Sequence, residues 1–136
     1  MRIAALSIAI STGLIGLLGS AAAADLTGAE LKTFLSGKTI YLETTAASAS
    51  GAAGQGMIYW AENGTAIFKT SSGAILHGNW EIKGNTNCTV WKERPGTGCT
   101  RYDKTGDTIT VIDVTSGQTR AKVVKSVAGN VEKLGP

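Results

Sequence analysis

The residues that support most enzymatic and metal chemistry are scarce in this sequence. The chain of 136 residues contains one histidine, His77, and two cysteines, Cys88 and Cys99. A protein metal site usually needs more ligands than these three side chains provide, and a lone histidine lacks the positioned partner that general base catalysis requires. No G-x-S-x-G nucleophile motif occurs either. We therefore predict that the protein is not an enzyme and has no catalytic residues, metal ion or cofactor.

A strong excess of either charge is also missing. The net charge is +3, and the basic residues are scattered along the chain without forming a stripe or a cluster. Domains that bind nucleic acids usually carry a concentrated basic patch, because they neutralise backbone phosphates. We therefore predict no nucleic-acid partner.

Long apolar runs are absent except at the N-terminus, in residues 1–24. Arg2 precedes this run, and the small residues Ala22–Ala24 end it. This is the pattern of a secretory signal peptide that is cleaved before Asp25. The alternative is a retained membrane anchor, because the run is nearly long enough to span a bilayer. We predict a signal peptide over 1–24 and one periplasmic or secreted domain over 25–136, monomeric and without an integral membrane segment.

The predicted export determines the expected redox state of the two cysteines. Disulfides form and persist in oxidising compartments, and a pair of cysteines in a short exported chain usually forms one. A redox centre would more often show the spacing C-x-x-C. We predict a disulfide between Cys88 and Cys99, and closing a loop of this size adds about 3 kcal/mol to stability.

One short helix is indicated near the start of the mature chain. Thr27 followed by Glu30 forms the sequence pattern of a capping box, and Gly37 is a suitable C-terminal cap. Apolar residues between these caps fall on one helical face. The sequence predicts an amphipathic helix over about 28–36, with Leu31, Phe34 and Leu35 facing the core.

After the helix, β-branched and aromatic segments alternate with turn signals at intervals typical of an antiparallel meander. The clearest signal is Asn63-Gly64, which favours a two-residue type I′ hairpin turn and would place Trp60 opposite Ile67. Which side chains of this hairpin face inward stays open. A further turn is predicted at Pro95-Gly96. About eight strands are predicted, near 39–45, 56–61, 65–70, 74–82, 87–92, 98–103, 107–114 and 118–125.

Eight strands linked in succession leave exposed edges unless the sheet closes on itself. Closure into a small up-and-down barrel removes those edges, and the helix would then cover one end. We therefore predict a mainly β protein in which the meander closes into a small barrel behind one short N-terminal helix. An open two-sheet sandwich is the alternative.

Several motifs resemble those of small exported proteobacterial proteins that form a domain of unknown function. The most specific are Gly78-Asn79-Trp80 and the trio of Cys88, Trp91 and Cys99. The resemblance covers about residues 26–124 and implies a calycin-like barrel, similar to lipocalins in outline, with an exported location and a disulfide. It implies no activity.

The tryptophans are the most informative candidates for a site. Trp60, Trp80 and Trp91 supply much of the large apolar bulk, and aromatic residues often fill the core of a small protein. They can also line a ligand pocket in the barrel mouth, because an eight-stranded barrel holds either packed side chains or one small ligand. The first function hypothesis is therefore a binding module for a small apolar or amphipathic ligand.

The disulfide-stapled loop over 88–102 provides the second hypothesis. It carries Trp91, Arg94, Arg101 and Tyr102, and tryptophan, tyrosine and arginine are typical anchors of protein interfaces. A protein that presents this loop would be an inhibitor or an accessory protein of the cell envelope, with another envelope protein as its partner.

Overall fold

The computed structural model describes residues 22–135, which contain one helix and nine strands. The predicted signal peptide, 1–24, lies outside the described residues except for its last three positions. The helical structure in 22–135 has neither the length nor the hydropathy that crossing a bilayer requires. The elements are β1 Ala24–Asp25, α1 Gly28–Leu35, β2 Lys38–Thr44, β3 Gly54–Trp60, β4 Thr65–Lys69, β5 Ile75–Lys83, β6 Thr86–Trp91, β7 Arg94–Thr105, β8 Thr108–Asp113 and β9 Thr119–Ala128.

Strands β2 to β9 form a closed antiparallel barrel. Each strand pairs with the next one along the chain, and β9 returns to pair with β2. The barrel prediction is therefore confirmed, and the sandwich alternative is wrong. The short strand β1 pairs with Asp103 and Lys104 of β7, beyond the residues of β7 that pair with β6.

Helix α1 closes one end of the barrel, as the sequence predicts. Both halves of the capping box form, since the Thr27 hydroxyl accepts from the Glu30 amide and the Glu30 carboxylate accepts from the Thr27 amide. Leu31 and Leu35 are fully buried. The Phe34 ring meets the ring of Tyr102 edge to face at 6.2 Å between centroids. The predicted apolar face of the helix therefore packs into this end of the barrel.

The hairpin at Asn63-Gly64 differs from the prediction by one residue. The Ala61 amide donates to the Thr65 carbonyl at 2.9 Å, so three residues form the loop. Gly64 has a φ of 90°, whereas Asn63 keeps a negative φ, and a type I′ turn needs positive φ at both central residues. Trp60 therefore pairs with Ala66 rather than with Ile67.

The turn predicted at Pro95-Gly96 is also displaced. The chain reverses at Lys92-Glu93, and Arg94 already pairs with Trp91. The physical reason is a side-chain contact across the sheet, because the Glu93 carboxylate accepts from the His77 amide at 2.8 Å and fixes the reversal there. Strand β7 consequently begins four residues before the predicted strand.

Candidate ligand-binding cavity

The end of the barrel opposite α1 contains a cavity of about 480 Å³. Its volume lies within the range of small-molecule sites, about 300–1,000 Å³. Small inward-facing residues leave this space, whereas Leu31 and Leu35 of α1 are fully buried at the other end. A more open groove of about 910 Å³ lies beside α1, between the helix, β1 and the turn after β7. The walls include Leu42, Thr44, Ile58, Trp60, Phe68, Thr89, Trp91, Arg94, Gly98, Thr100, Tyr102, Val111, Arg120 and Ala121, and the loop after β2 contributes Ala47, Ser48, Ala49 and Gly51.

One wall of the cavity is aromatic. The Trp91 ring lies 5.8 Å from Phe68 and 6.4 Å from Trp60, measured between centroids. Gly78 makes room for this arrangement, because a Cβ there would approach the Trp91 ring to 2.8 Å and the Val90 carbonyl oxygen to 2.6 Å. Flat rings in offset and tilted contact give a rigid apolar surface that suits the body of an apolar ligand.

A β-bulge turns Arg120 into the cavity. Val111 pairs with Ala121, and the next residue, Ile112, pairs with Thr119, so Arg120 has no partner on β8. Without the bulge, Arg120 and Ala121 would face opposite sides of the barrel wall, whereas both line the cavity. A bulge of this kind redirects a side chain without interrupting the fold.

Glycine on the neighbouring wall leaves space for the Arg120 guanidinium. A Cβ at Gly98 would come within 3.0 Å of Nη1 of Arg120, closer than most side-chain contacts allow. A larger residue at position 98 would therefore compete with the guanidinium for the same space.

The carboxylate of Asp113 forms an ion pair with the Arg120 guanidinium through Nη2. Its Oδ1 accepts from Nη2 of Arg120 at 2.7 Å, and its Oδ2 accepts from the hydroxyl and the amide of Ser116 at 2.6 and 2.8 Å. The Ser116 hydrogen bonds and the Arg120 charge hold the pKa of Asp113 below its usual value, against the opposing effect of burial. The carboxylate is therefore ionised at neutral pH and fixes Arg120 in the cavity wall.

Arg94 connects the rim of the barrel to the loop that overhangs the cavity. Its Nε donates to the Ala49 carbonyl at 3.1 Å, and its Nη2 is 3.5 Å from the Ser50 carbonyl. Arg94 and Arg120 are the charged side chains among the described residues of the cavity wall. Asp113 balances the charge of Arg120, so Arg94 supplies the uncompensated positive charge of this wall.

Some buried polar atoms in residues 22–135 have no hydrogen-bond partner, and two of the three residues concerned belong to the cavity wall. These atoms are the indole nitrogen of Trp60, Nε of Arg120 and both amide atoms of Asn87. Trp60 and Arg120 belong to the cavity wall. Burial also raises the pKa of the Tyr102 phenol, so this wall residue stays neutral at physiological pH.

Four of the predicted site residues meet in the cavity wall, namely Trp60, Trp91, Arg94 and Tyr102. Sequence reasoning assigned Trp91, Arg94 and Tyr102 to a partner-binding loop as well. However, Trp91 and Tyr102 are buried, at 8% and 2% exposure. Their rings therefore face the interior and are not displayed on an outer surface.

The other two predicted residues lie elsewhere. Trp80 is buried and packs against Trp60 at 5.6 Å between centroids, and its indole donates to the Ala61 carbonyl, so it is a core residue outside the cavity wall. Arg101 lies on the outer face of β7, where its guanidinium pairs with Asp25 at 2.9 Å and approaches Asp103 at 3.7 Å.

The predicted disulfide between Cys88 and Cys99 is confirmed. The two residues are directly opposite each other on β6 and β7. The bond therefore links the strands that carry Trp91 and Arg94, and it holds one side of the cavity together.

His77 has a partner that the sequence did not reveal. Its Nδ1 lies 2.9 Å from the Glu93 carboxylate, and this contact lowers the pKa of Glu93. Neither residue belongs to the cavity wall. In residues 22–135, no group of three or more histidine, cysteine, aspartate or glutamate side chains is arranged to hold a metal ion.

Sequence reasoning missed Arg120 and Asp113 as site residues. The alternation rule assigns faces correctly only along a regular strand, and the bulge at Arg120 breaks it. The sequence provides one signal, the turn Ser116-Gly117, across which Asp113 and Arg120 can meet. Nothing in the sequence specifies that they meet inside the barrel.

Comparisons with known protein families, with curated proteins and with solved structures gave no match for this chain. The barrel and the disulfide that the resemblance implied are present. Membership of a particular exported family stays an expectation.

Proposed function

We propose that the protein is a non-enzymatic binding module that holds a small apolar or amphipathic ligand in the barrel cavity. The single observation that carries this proposal is the cavity of about 480 Å³ beside an aromatic wall. Small domains bury their apolar surface in close-packed cores with few large voids. A cavity of this size inside the barrel is best explained by an occupant.

The cavity also supports this function over the partner-binding loop. An interface needs its anchor side chains on an accessible surface, but Trp91 and Tyr102 are buried in the interior and Arg101 faces the other side of β7. The residues of the stapled loop thus do not form one outward patch. The loop instead builds part of the cavity.

The proposal also includes an exported location and a calycin-like family. A disulfide is compatible with a periplasmic or secreted protein, and we propose that the protein acts there as a monomer. A calycin-like barrel related to lipocalins in outline would suit a carrier or a sensor of small molecules.

The test uses N-phenyl-1-naphthylamine, a neutral apolar dye that brightens in apolar surroundings. We expect saturable binding of one dye per chain. Ala121→Leu adds bulk to the cavity wall and should weaken binding at least tenfold. The matched control is Val124→Leu, because Val124 lies on the same strand but is 55% exposed. No saturable binding, or equal binding by both variants, would refute the proposal.

A further inference from the structure

The charged side chains around the cavity indicate the chemical class of the ligand, which the cavity volume alone does not. We propose that the ligand is an amphipathic anion, with an apolar body against the aromatic wall and one oxyanion head group, such as a carboxylate, bound by Arg120 and Arg94. This inference rests on the proposed function, and it narrows the ligand from any apolar molecule to one class.

The first argument is charge complementarity. The two arginines are the charged residues among the described side chains of the wall. Asp113 balances the charge of Arg120, so the uncompensated charge in the wall is that of Arg94, which contacts backbone carbonyls of the overhanging loop. A cationic ligand would be repelled by this charge, and a neutral ligand would leave it unbalanced. An anionic head group satisfies the guanidinium groups, which match the planar geometry of oxyanions.

The second argument is the incomplete pairing of Arg120. Asp113 accepts from Nη2, whereas Nη1, which lies beside Gly98 in the cavity wall, makes no hydrogen bond within the described chain. A guanidinium offers five donors, and a partly buried charged group with an unused donor loses hydrogen-bond free energy. A ligand that brings acceptors to Nη1 would recover this free energy.

The third argument is the way in which the chain positions Arg120. The bulge redirects Arg120 inward, Gly98 leaves space for its guanidinium, and Asp113, which is buried and is not a wall residue, fixes it. Three independent features therefore present the guanidinium of an ion pair to an apolar cavity. Apolar packing does not require this arrangement, since desolvating charged groups is costly.

The experiment compares four ligands with the same ten-carbon chain: decanoate, decyl sulfate, decan-1-ol and decylammonium. Binding is measured by calorimetry below the concentration at which each ligand forms micelles. We expect both anions to bind at least tenfold more tightly than decan-1-ol, and decylammonium to bind most weakly. Decan-1-ol binding as tightly as the anions would refute the charged head group and leave the proposed function standing. Failure of all four ligands to bind would count against both.

Matched arginine variants locate the head group. Arg120→Gln and Arg94→Gln should each reduce the preference for decanoate over decan-1-ol at least fivefold, with little change in the affinity for decan-1-ol. Arg101→Gln is the control, because it removes the same charge from the outer face of the strand that carries Arg94. If Arg101→Gln reduces the preference as much as Arg94→Gln does, the effect is long-range and the proposed head-group site is refuted. Should Arg120→Gln not fold, Arg94→Gln still decides the outcome.

Discussion

The two ends of the barrel use the same eight strands and the same alternation of side chains, but they differ in what faces inward. At the helix end, large residues fill the interior, with Leu31 and Leu35 of α1 fully buried and Phe34 partly buried. At the other end, threonine, glycine and alanine leave a cavity whose bulk comes from one aromatic wall and two arginines. The helix-end residues include Leu31, Leu35, Ile40 and Phe34, and the cavity-end residues include Thr44, Gly98, Thr100 and Ala121.

We infer from this difference that the helix end mainly stabilises the fold, and that the cavity end would serve the proposed ligand binding. Apolar burial stabilises a fold in proportion to the area removed from water, and the helix end supplies close packing. The cavity end is less closely packed. The disulfide between Cys88 and Cys99 and the hydrogen bond from Arg94 to the Ala49 carbonyl stabilise the strands and the loop around the cavity instead.

The largest effect should come from removing a leucine at the helix end. Leu35→Ala should lower the free energy of unfolding by about 3–5 kcal/mol, because the enclosed site cannot collapse around the lost atoms. Leu42→Ala, in the cavity wall, should cost less, about 2–3 kcal/mol, because the cavity is partly open and water can occupy the space of the lost atoms. Urea denaturation of both variants measures the difference. Equal losses would mean that the two ends are packed alike.

Enlarging a small buried residue should also affect the two regions differently, but the changes in stability should be smaller. Ala66→Leu places extra atoms in the close-packed region near Trp60 and should cost about 1–3 kcal/mol. Ala121→Leu grows into the cavity and should change stability by less than about 1 kcal/mol in either direction. The same denaturation measurement applies. A large loss in Ala121→Leu would indicate that the cavity end is already filled.

The helix end could largely be predicted from the sequence, whereas the cavity end could not. Caps and apolar spacing act locally, so Thr27, Glu30 and Leu31 specify the helix and its buried face. Eight strands between regular turns favour a closed sheet, because closure removes exposed edges, but they leave the open sandwich as an alternative. The cavity depends on long-range details instead. A three-residue loop sets the register of Trp60, and a bulge redirects Arg120. Neither feature has a local sequence pattern that fixes it.

The smallest effect should come from the support behind Arg120. Asp113→Asn keeps the size of the side chain but removes the charge that Arg120 and Ser116 stabilise. We expect a loss of about 1–2 kcal/mol at neutral pH, because the hydrogen bonds to a charged group become weaker. Asp107→Asn, in an exposed turn on the same hairpin, should change stability by less than about 0.5 kcal/mol.

The pH dependence of this loss distinguishes a charge effect from a packing effect. The folded-state pKa of Asp113 is lowered, so its contribution is fully present above the ordinary aspartate pKa of about 4 and disappears as the pH falls through the lower folded value. The stability difference between wild type and Asp113→Asn should therefore stay constant from pH 7 to about pH 5 and narrow progressively below about pH 4. A difference that persists undiminished at low pH would show that the variant disturbs the shape of the turn. Arg120 would then owe its position to the bulge and to the space at Gly98, and not to the Asp113 carboxylate.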